Sequence, residues 1–301
     1  MRTVYLGTTE FAASVLERLA SSVHRPALVI TRPDRPKGRG RTLQPPPVAE
    51  AARELGVELA QPGDVNSDEA RERIAAAAPE ALALCAFGAL IKEPLLSAHE
   101  WFNAHPSLLP RWRGAAPVER AIQAGDEQTG VSIMRLVEDL DAGPVHLAGA
   151  EAIRPDDDYG TLAPRLAALA GALLIKALDE RPEPVAQHEE GVTYAEKISP
   201  DDRRLDPARP AGELARTVRA LTPHIGAWVE IAGGERLGVR AARPSGDDDL
   251  SPGQLTVRDS RLLLGAGDGA LELVTVQPPG KRSMPAADYL RGHDPTTTPQ
   301  L

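Results

Sequence analysis

Residues 103–143 read NAHPSLLPRWRGAAPVERAIQAGDEQTGVSIMRLVEDLDAG, and their pattern is the strongest indication of the fold. The apolar runs 102–105 and 131–136 have the length and composition of buried strands, and 116–124 has the spacing of an amphipathic helix. A strand, a helix and a second strand in this order are typical of an open, largely parallel sheet. The stretch therefore predicts an α/β fold.

The same alternation continues on both sides of this stretch. Further predicted strands are 3–6, 27–31, 57–59 and 81–87, and further predicted helices are 10–21, 47–55, 68–78 and 158–180. We therefore predict a doubly wound, mostly parallel Rossmann-like sheet. Its first turn, at residues 7–11, lacks the three-glycine spacing of dinucleotide-binding folds, and the chain has no Gly-x4-Gly-Lys-Ser/Thr motif. Neither NAD or FAD binding nor nucleotide hydrolysis is expected.

The composition changes after residue 180. Segments 181–184 and 201–210 are rich in proline and charge, which is typical of linkers. A predicted helix, 211–221, is followed by short strands that indicate a small OB-like β-barrel. These strands are predicted at 226–231, 237–241, 254–257, 261–264 and 271–277. The predicted organisation is a catalytic domain at 1–188, a linker at 189–209 and an OB-like carboxy-terminal domain at 210–301.

Composition narrows the class of protein. The 301 residues carry a formal net charge of −9, with 26% charged and 42% hydrophobic residues, as in globular proteins. An acidic balance argues against a uniformly basic nucleic-acid-binding surface and leaves room for a local basic patch. The single cysteine, Cys85, excludes an intramolecular disulfide and fits a reducing compartment. Residues 1–7 do not form a secretion signal, and no uninterrupted apolar run approaches the ~20 residues of a bilayer span, so we expect a cytoplasmic protein without membrane contact.

Three polar residues in the opening stretch could carry chemistry. Asn103 and His105 are two positions apart, so on a strand their side chains point to the same face. Asp141 precedes a glycine-containing turn. An amide, an imidazole and a carboxylate together can stabilise an oxyanion and move protons, which is what acyl transfer requires. Taken alone, a packed histidine and an ordinary turn aspartate explain the same residues.

Long matches in a fixed order connect the chain to a known family. The matching segments are 103–110, 111–117, 125–126, 129–131, 140–143, 193–198, 226–228 and 280–284. Here the chain resembles the folate-dependent formyltransferases, most closely the methionyl-tRNA formyltransferases. The resemblance implies transfer of the formyl group of 10-formyltetrahydrofolate to the α-amino group of methionyl initiator tRNA. It assigns catalysis to Asn103 and His105 as oxyanion donors and to Asp141, which orients His105 and relays protons.

The resemblance also implies two binding surfaces. The residues expected to bind folate are Phe87, Gly88, Leu90, Ile91, Ser107, Leu108, Leu109, Pro110, Val137, Glu138, Asp139 and Leu140. The residues expected to meet the tRNA, chiefly at its acceptor arm, are Arg35, Lys37, Arg39, Arg41, Lys197, Lys281 and Arg282. The histidines and the cysteine show no metal-ligand spacing, so no metal is expected. We expect a monomer.

Other functions remain open at this point. A formyltransferase acting on a small amine, such as a sugar nucleotide or glycinamide ribonucleotide, would share the three polar residues without needing the basic loop at 32–42 or the second domain. A hydrolase or the amino-terminal part of a formyltetrahydrofolate dehydrogenase would share the pattern too, although we expect no downstream dehydrogenase domain. A non-catalytic RNA-binding protein would need interleaved basic and aromatic residues, which the sequence does not show.

Overall fold

The computed structural model describes residues 1–37, 42–247 and 249–296, and these form two compact units. The first unit comprises Met1–Pro117, Gln128–Ala152 and Ala163–Glu196. The second comprises Val118–Glu127, Ile153–Leu162 and the chain from Lys197 onward. The domain limits at residues 188 and 210 remain predictions.

The chain up to Ala195 alternates strands and helices, as the sequence predicts. In chain order the elements are β1 (Thr3–Gly7), α1 (Glu10–Ala20), β2 (Pro26–Ile30), β3 (Arg35–Lys37), β4 (Thr42–Gln44), α2 (Pro47–Glu54), β5 (Glu58–Ala60), α3 (Asp68–Ala76), β6 (Ala81–Cys85), β7 (Trp101–His105), β8 (Arg113–Gly114), α4 (Pro117–Ala124), β9 (Gln128–Met134), β10 (Val145–Ala152), α5 (Tyr159–Glu180) and β11 (Tyr194–Ala195).

Seven strands of the first unit form one sheet in the order β10-β9-β7-β6-β1-β2-β5. Strands β7, β6, β1, β2 and β5 are parallel, and β9 and β10 are antiparallel to their neighbours. The predicted mostly parallel sheet is confirmed. Strand β10 was not predicted, because its exposed and partly buried positions alternate and it has no continuous apolar run.

The strand order places a candidate site at one edge of this sheet. From β1 the chain moves to β2 and β5 on one side, and then returns to β6 and β7 on the other. In open α/β sheets ligands bind outside the carboxyl ends of the strands where the order reverses. The parallel strands β1, β6 and β7 end there at Gly7, Cys85 and His105, side by side. Candidate residues at these ends therefore lie at the same edge.

The turn between β1 and α1 is required for packing. Thr9 begins the helix, and its side chain accepts a hydrogen bond from the backbone N–H of Ala12. A Cβ at Gly7 would lie 2.8 Å from the Cβ of Ala12 and 2.9 Å from the ring of Tyr5, so only glycine lets the helix approach the strand this closely. The core beneath this turn is made of apolar side chains from β1, β2, β6, β7 and α3, among them Val4, Leu28, Ile74, Leu82 and Trp101.

The second unit contains a small antiparallel sheet. After a 3-10 turn at Asp201–Arg203, its elements are α6 (Ala211–Leu221), β12 (Ala227–Glu230), β13 (Arg236–Ser245), β14 (Leu255–Arg258), β15 (Arg261–Ala266), β16 (Gly269–Gln277), β17 (Met284–Pro285) and α7 (Ala286–Leu290). The strand order is β12-β13-β16-β15-β14, with β17 also paired to β16. Leu214, Val218 and Leu221 of α6 belong to the core on which the strands pack. The five predicted strands are confirmed, whereas β17 and α7 are too short to give a periodic signal.

Helix α5 is long and apolar enough to cross a membrane, judged by length and composition alone. No such segment was predicted, since charged and small residues interrupt its apolar runs. Half of its most apolar window is buried within the protein, and Leu169 and Leu173 contact Gly149 of β10. A core helix of this kind passes the same test, so the helix is weak evidence for a membrane span.

Candidate active site

Asn103 and His105 lie at the carboxyl end of β7, and their side chains leave the strand on the same side. Each residue is only 5% exposed. The side-chain amide of Asn103 makes no hydrogen bond to any residue in the described part of the chain. Because buried amides in native proteins are nearly always paired, this one is suited to donate to a bound ligand.

Two groups of unlike chemistry flank the imidazole of His105. Its Nε2 lies 2.8 Å from the backbone carbonyl oxygen of Trp112, and since a carbonyl only accepts, Nε2 carries a hydrogen and donates. Its Nδ1 lies 3.5 Å from Oδ2 of Asp141. In the neutral ring Nδ1 therefore carries no hydrogen, and its lone pair faces the Asp141 carboxylate. A proton bound between Nδ1 and Oδ2 would form a charge-assisted hydrogen bond, so His105 and Asp141 together can hold one extra proton.

This geometry changes one role that the resemblance implied. His105 was expected to donate to a developing oxyanion, but its Nε2–H already donates to Trp112. Of the two expected oxyanion donors, Asn103 is the one whose side-chain amide has no hydrogen-bond partner within the described residues. His105 and Asp141 are better suited to proton transfer.

Asp141 and Trp112 both have strained backbone conformations. The φ angle is +48° at Asp141 and +62° at Trp112, in the left-handed region that bulky residues rarely adopt. Oδ2 of Asp141 accepts a hydrogen bond of 2.8 Å from the backbone N–H of Gly114. The N–H of Trp112 donates to Oγ1 of Thr193 over 2.9 Å. Strain that surrounding contacts hold in place is characteristic of functional sites.

The twelve residues expected to bind folate have different environments. Leu90, Val137 and Leu140 are apolar yet exposed. Ser107 is fully buried, and its hydroxyl donates to the carbonyl of Arg111 over 2.6 Å, while Phe87 belongs to the core. The remaining residues are exposed at Gly88, Glu138 and Asp139 and partly buried at Ile91, Leu108, Leu109 and Pro110. Exposed apolar side chains beside accessible backbone suit a flat ring with a polar edge.

A cavity of about 410 Å³ lies beside the carboxyl ends of β1 and β6. It is lined by Thr8, Thr9, Arg32, Pro33, Arg35, Pro36, Gln44, Pro45, Pro46, Pro47, Phe87 and Gly88. Arg32 is fixed there by donating to the carbonyl of Gly88 over 2.5 Å. Phe87 and Gly88 were predicted at the site, but the proline-rich wall was not. Prolines carry no chemical signal of their own, so the sequence did not reveal it.

The basic segment after β2 is an antiparallel hairpin at its base. Strands β3 and β4 pair Arg35 with Gln44, and the side chain of Arg35 is exposed. Arg39, Arg41 and the side chain of Lys37 lie outside the described residues. The other expected tRNA contacts, Lys197, Lys281 and Arg282, are exposed in the second unit.

The second unit also contains a basic and aromatic surface that we did not predict. We call it the Trp228 patch, and it consists of Arg203, Arg204, Trp228, Arg236 and Arg240. The guanidinium of Arg236 lies 4.2 Å from the centre of the Trp228 ring, and that of Arg204 lies 6.0 Å away. Trp228, Arg203, Arg236 and Arg240 line a cavity of about 200 Å³. The interleaving absent from the linear sequence is thus produced by folding.

The positive charge of the patch is not neutralised locally. Within the described part of the chain, none of its four arginines forms an ion pair with a carboxylate. Arg203 donates to backbone carbonyls, and Arg240 donates to the side-chain oxygen of Gln277 over 2.9 and 2.6 Å. Burial and then the charge of Arg203 lower the pKa of Arg240 from its usual value. Several like charges held together around a ring form a site for an anion or a nucleic acid.

Strand pairing explains how the patch forms. Trp228 on β12 lies opposite Gly238 on β13. Gly238 lies between Arg236 and Arg240, which share its face of the strand, so the pairing places both arginines beside the residue opposite Gly238. The signal in the sequence was the Arg-x-Gly-x-Arg alternation, which becomes meaningful only once the pairing register is known.

Comparison with known proteins agrees with this architecture. Residues 1–178 match the family model described as formyl transferase, and residues 197–294 match the model of the formyl transferase carboxy-terminal domain. The chain belongs to the formyltransferase family. It is 45% identical to a methionyl-tRNA formyltransferase of Streptomyces coelicolor, over 97% of this chain and 96% of that protein. It is 44% identical to one from a Nocardioides species, over 97% of this chain and 95% of that protein.

Solved structures of formyltransferases share the fold. The methionyl-tRNA formyltransferase of Clostridium thermocellum matches with a TM-score of 0.61 at 15% identity, over 81% of this chain and 94% of that one. Identity this low supports the fold alone. Across residues 1–37, 42–247 and 249–296, no group of three or more His, Cys, Asp or Glu side chains is arranged to hold a metal ion.

Proposed function

We propose that this formyltransferase transfers the formyl group of 10-formyltetrahydrofolate to the α-amino group of methionyl initiator tRNA, giving N-formylmethionyl-tRNA for translation initiation. The observation that carries the chemistry is the arrangement around β7. A buried, unpartnered amide at Asn103 lies two residues from a ring that is held between the Trp112 carbonyl and the Asp141 carboxylate. The family membership supplies the reaction class, and the relatives' names supply the acceptor.

Asn103 supports the first half of the reaction. The neutral amine attacks the formyl carbon, and negative charge builds on the formyl oxygen. The Nδ2–H of Asn103 donates to that oxygen, and it has no competing partner within the described residues. A donor that is already oriented and desolvated stabilises charge without reorganisation, which is worth about 10²–10³ in rate.

His105 and Asp141 manage the proton. As the new carbon–nitrogen bond forms, the amine nitrogen must lose a proton, and as the bond from carbon to N10 of the folate breaks, N10 must gain one. The pair formed by Nδ1 of His105 and Oδ2 of Asp141 takes up the proton that the amine loses. The same pair gives a proton to N10 when the bond to the folate breaks. The products are the formylated amine and tetrahydrofolate, so atoms and charge balance without a metal.

The folate-binding assignment remains part of this proposal. Leu90, Val137 and Leu140 present exposed apolar surface, and the cavity beside Gly88 continues the same sheet edge. A pterin needs an apolar slot and backbone groups for its polar edge. Fluorescence titration with tetrahydrofolate should show weaker binding for Leu140→Ser than for the control Val23→Ser, which alters an exposed apolar residue elsewhere (83% exposed, against 54% for Leu140).

Two basic surfaces support a tRNA acceptor over a small amine. The hairpin β3–β4 follows β2 at the edge of the sheet where the site lies, and its described part carries the exposed Arg35. The Trp228 patch offers arginines without carboxylate partners in the described part of an acidic chain. A phosphate backbone is recognised by such arginines, and stacking on an indole suits an exposed base. An enzyme of initiator tRNA is expected in the cytoplasm, where initiation takes place.

A single competition assay tests the proposal. Purified enzyme and 10-formyltetrahydrofolate are incubated with methionyl initiator tRNA, free methionine and amino sugar nucleotides, and formylated products are separated by mass. We expect formylmethionyl-tRNA to be the dominant product. Preferential formylation of a sugar nucleotide at comparable concentration would instead establish the small-amine alternative.

A further inference from the structure

Gln187 holds the turn that carries Asp141. Its Nε2 donates to the backbone carbonyl of Asp141 over 2.8 Å and to that of Gly143 over 2.7 Å. Its Oε1 accepts from Nε and Nη2 of Arg113 over 3.0 and 2.8 Å. Carbonyls only accept and a guanidinium only donates, so the amide has one allowed orientation. Both of its N–H groups and its oxygen are used.

The turn needs an external constraint of this kind. Asp141 is in the left-handed region at φ +48°, which aspartate adopts more readily than most residues but still less readily than the ordinary regions, so contacts around the turn must select it. A Cβ at Gly143 would overlap the carbonyl of Arg135, so the turn also packs tightly against β9. Gln187 holds the backbone carbonyls of Asp141 and Gly143 together. The side-chain carboxylate of Asp141 is held separately by the backbone N–H of Gly114.

Arg113 connects the two halves of this arrangement. It immediately precedes Gly114, whose N–H donates to Oδ2 of Asp141, and its own side chain orients Gln187. Strand β8, which contains both residues, is paired with β11 through Tyr194 and Ala195. Strand β8 therefore contacts Asp141 in two ways: the N–H of Gly114 binds its carboxylate, and the side chain of Arg113 orients Gln187, which binds its carbonyl.

We propose that Gln187, oriented by Arg113, is a positioning residue that sets the Asp141 carboxylate against His105. This inference rests on the proposed function, in which that pair holds the transferred proton. Gln187 lies behind the turn, and we assign it no contact with substrate. A displacement of about 1 Å in a reacting group costs roughly 100-fold in rate, so loosening the turn should act on turnover and leave binding intact.

The test is a double-mutant cycle with single-turnover and steady-state formyl transfer on charged tRNA. Gln187→Met keeps the length of the side chain and removes all its hydrogen bonds. We expect kcat to fall roughly 10- to 100-fold, with KM for tRNA and folate changing by less than about threefold. In an Asp141→Asn background the same change should have almost no further effect, because the carboxylate it positions is gone. Gln123→Met, which removes another glutamine that accepts from an arginine, Arg120, should leave kcat unchanged.

The outcomes separate this inference from the proposed function. Wild-type turnover in Asp141→Asn alone would overturn the proposed mechanism before Gln187 is considered. An impaired Asp141→Asn combined with normal turnover in Gln187→Met, or with equal losses from Gln187→Met in both backgrounds, would overturn only the positioning role. If Gln187→Met does not fold, Arg113→Lys enters the same cycle, since it keeps the charge and loses the two-point contact to Oε1. Additive losses there would contradict the inference equally.

Discussion

Nδ1 of His105 lies 3.5 Å from Oδ2 of Asp141, while the opposite ring nitrogen donates to the Trp112 carbonyl. Because Nε2 already carries the hydrogen that it donates to the Trp112 carbonyl, an additional proton on the His105 ring can bind only at Nδ1, beside the Asp141 carboxylate. The pair is enclosed, with side chains 6% and 12% exposed. In such an environment bulk water competes poorly for the proton, which favours its return to the departing group.

Asp141→Asn should remove the negative charge at this position while keeping the size and shape of the side chain. Asparagine tolerates the left-handed backbone and can still accept from Gly114, so the turn should persist. With its oxygen in the Oδ2 position, the carboxamide presents a neutral acceptor to Nδ1 of His105, which stabilises an added proton less well than a carboxylate. We expect single-turnover formyl transfer to fall by about 10²–10⁴-fold, the usual range for loss of general acid–base catalysis, with tRNA and folate binding retained. Asp259→Asn, which alters an exposed aspartate with the same φ of +48°, is the matched control. Equal rates in both variants would contradict a proton-holding pair.

Asn103→Ala should lose activity without losing stability. The side chain of Asn103 makes no hydrogen bond to the described residues, so its removal breaks no bond that holds the fold. We expect a fall in kcat of about 10²–10³-fold and a free energy of unfolding close to that of the wild type. Ser132→Ala is the contrasting variant, because its buried hydroxyl accepts from Leu109 and donates to Ser107 over 3.1 and 2.8 Å. That change should destabilise the protein by about 1–3 kcal/mol. A large stability loss in Asn103→Ala would assign Asn103 a structural role instead.

Much of the fold followed from the sequence because its signals are local. A continuous apolar run predicted β6, and the i, i+2 spacing predicted that Asn103 and His105 share one face of a strand. The missing parts depend on contacts between distant residues. Trp112 and Gln187 look unremarkable in sequence, and they acquire roles only when β8 pairs with β11 and brings residues 113 and 187 together. The Trp228 patch was missed for the same reason, since the β12–β13 register sets its geometry.

Gly114→Ala should lower both stability and turnover, because it displaces the backbone of β8. Gly114 has φ +123°, and a Cβ there would lie 2.7 Å from the carbonyl oxygen of Ala195. Strand β8 would have to move, and the N–H that holds Asp141 would move with it. We expect a stability loss of about 1–3 kcal/mol and reduced turnover. Gly63→Ala meets no atom within 4 Å and should be neutral or slightly stabilising. Thermal unfolding and kcat of the two variants check this, and a wild-type kcat in Gly114→Ala would contradict the role of its N–H.

Cys85 should report unfolding and limit stability at alkaline pH. Burial raises the pKa of its thiol from 9.0 to about 12, with a smaller opposing effect from Tyr5. The unfolded chain therefore releases this proton near pH 9 and the folded chain only near pH 12, so the contribution to stability is full below pH 9 and is lost as pH rises through that window. We expect negligible iodoacetamide labelling of the folded protein at pH 8 and rapid labelling in denaturant. Cys85→Ala should flatten the fall in unfolding free energy above pH 9. Fast labelling without denaturant would contradict the burial.

The Trp228 patch should make tRNA use depend on salt. Each phosphate contact by an arginine releases counterions, so the slope of log affinity against log salt steepens by about 0.7–0.9 per contact. Arg236 stacks on Trp228 and has no carboxylate partner in the described residues, whereas Arg243 on the same strand is held by two hydrogen bonds to Glu272. Arg236→Gln and Arg243→Gln change the net charge equally.

We therefore expect Arg236→Gln to raise KM for tRNA and to reduce the salt slope by roughly one contact, with kcat and folate binding unchanged. Arg243→Gln should leave both quantities near wild type, because Glu272 already neutralises that guanidinium. Equal effects would mean that overall charge, and not the patch, governs tRNA binding. No effect in either variant would remove the second unit's arginines from the tRNA surface and leave the hairpin after β2 to carry it. We expect a local patch to govern binding, because a net charge of −9 disfavours a phosphate backbone overall, whereas arginines without carboxylate partners attract it locally.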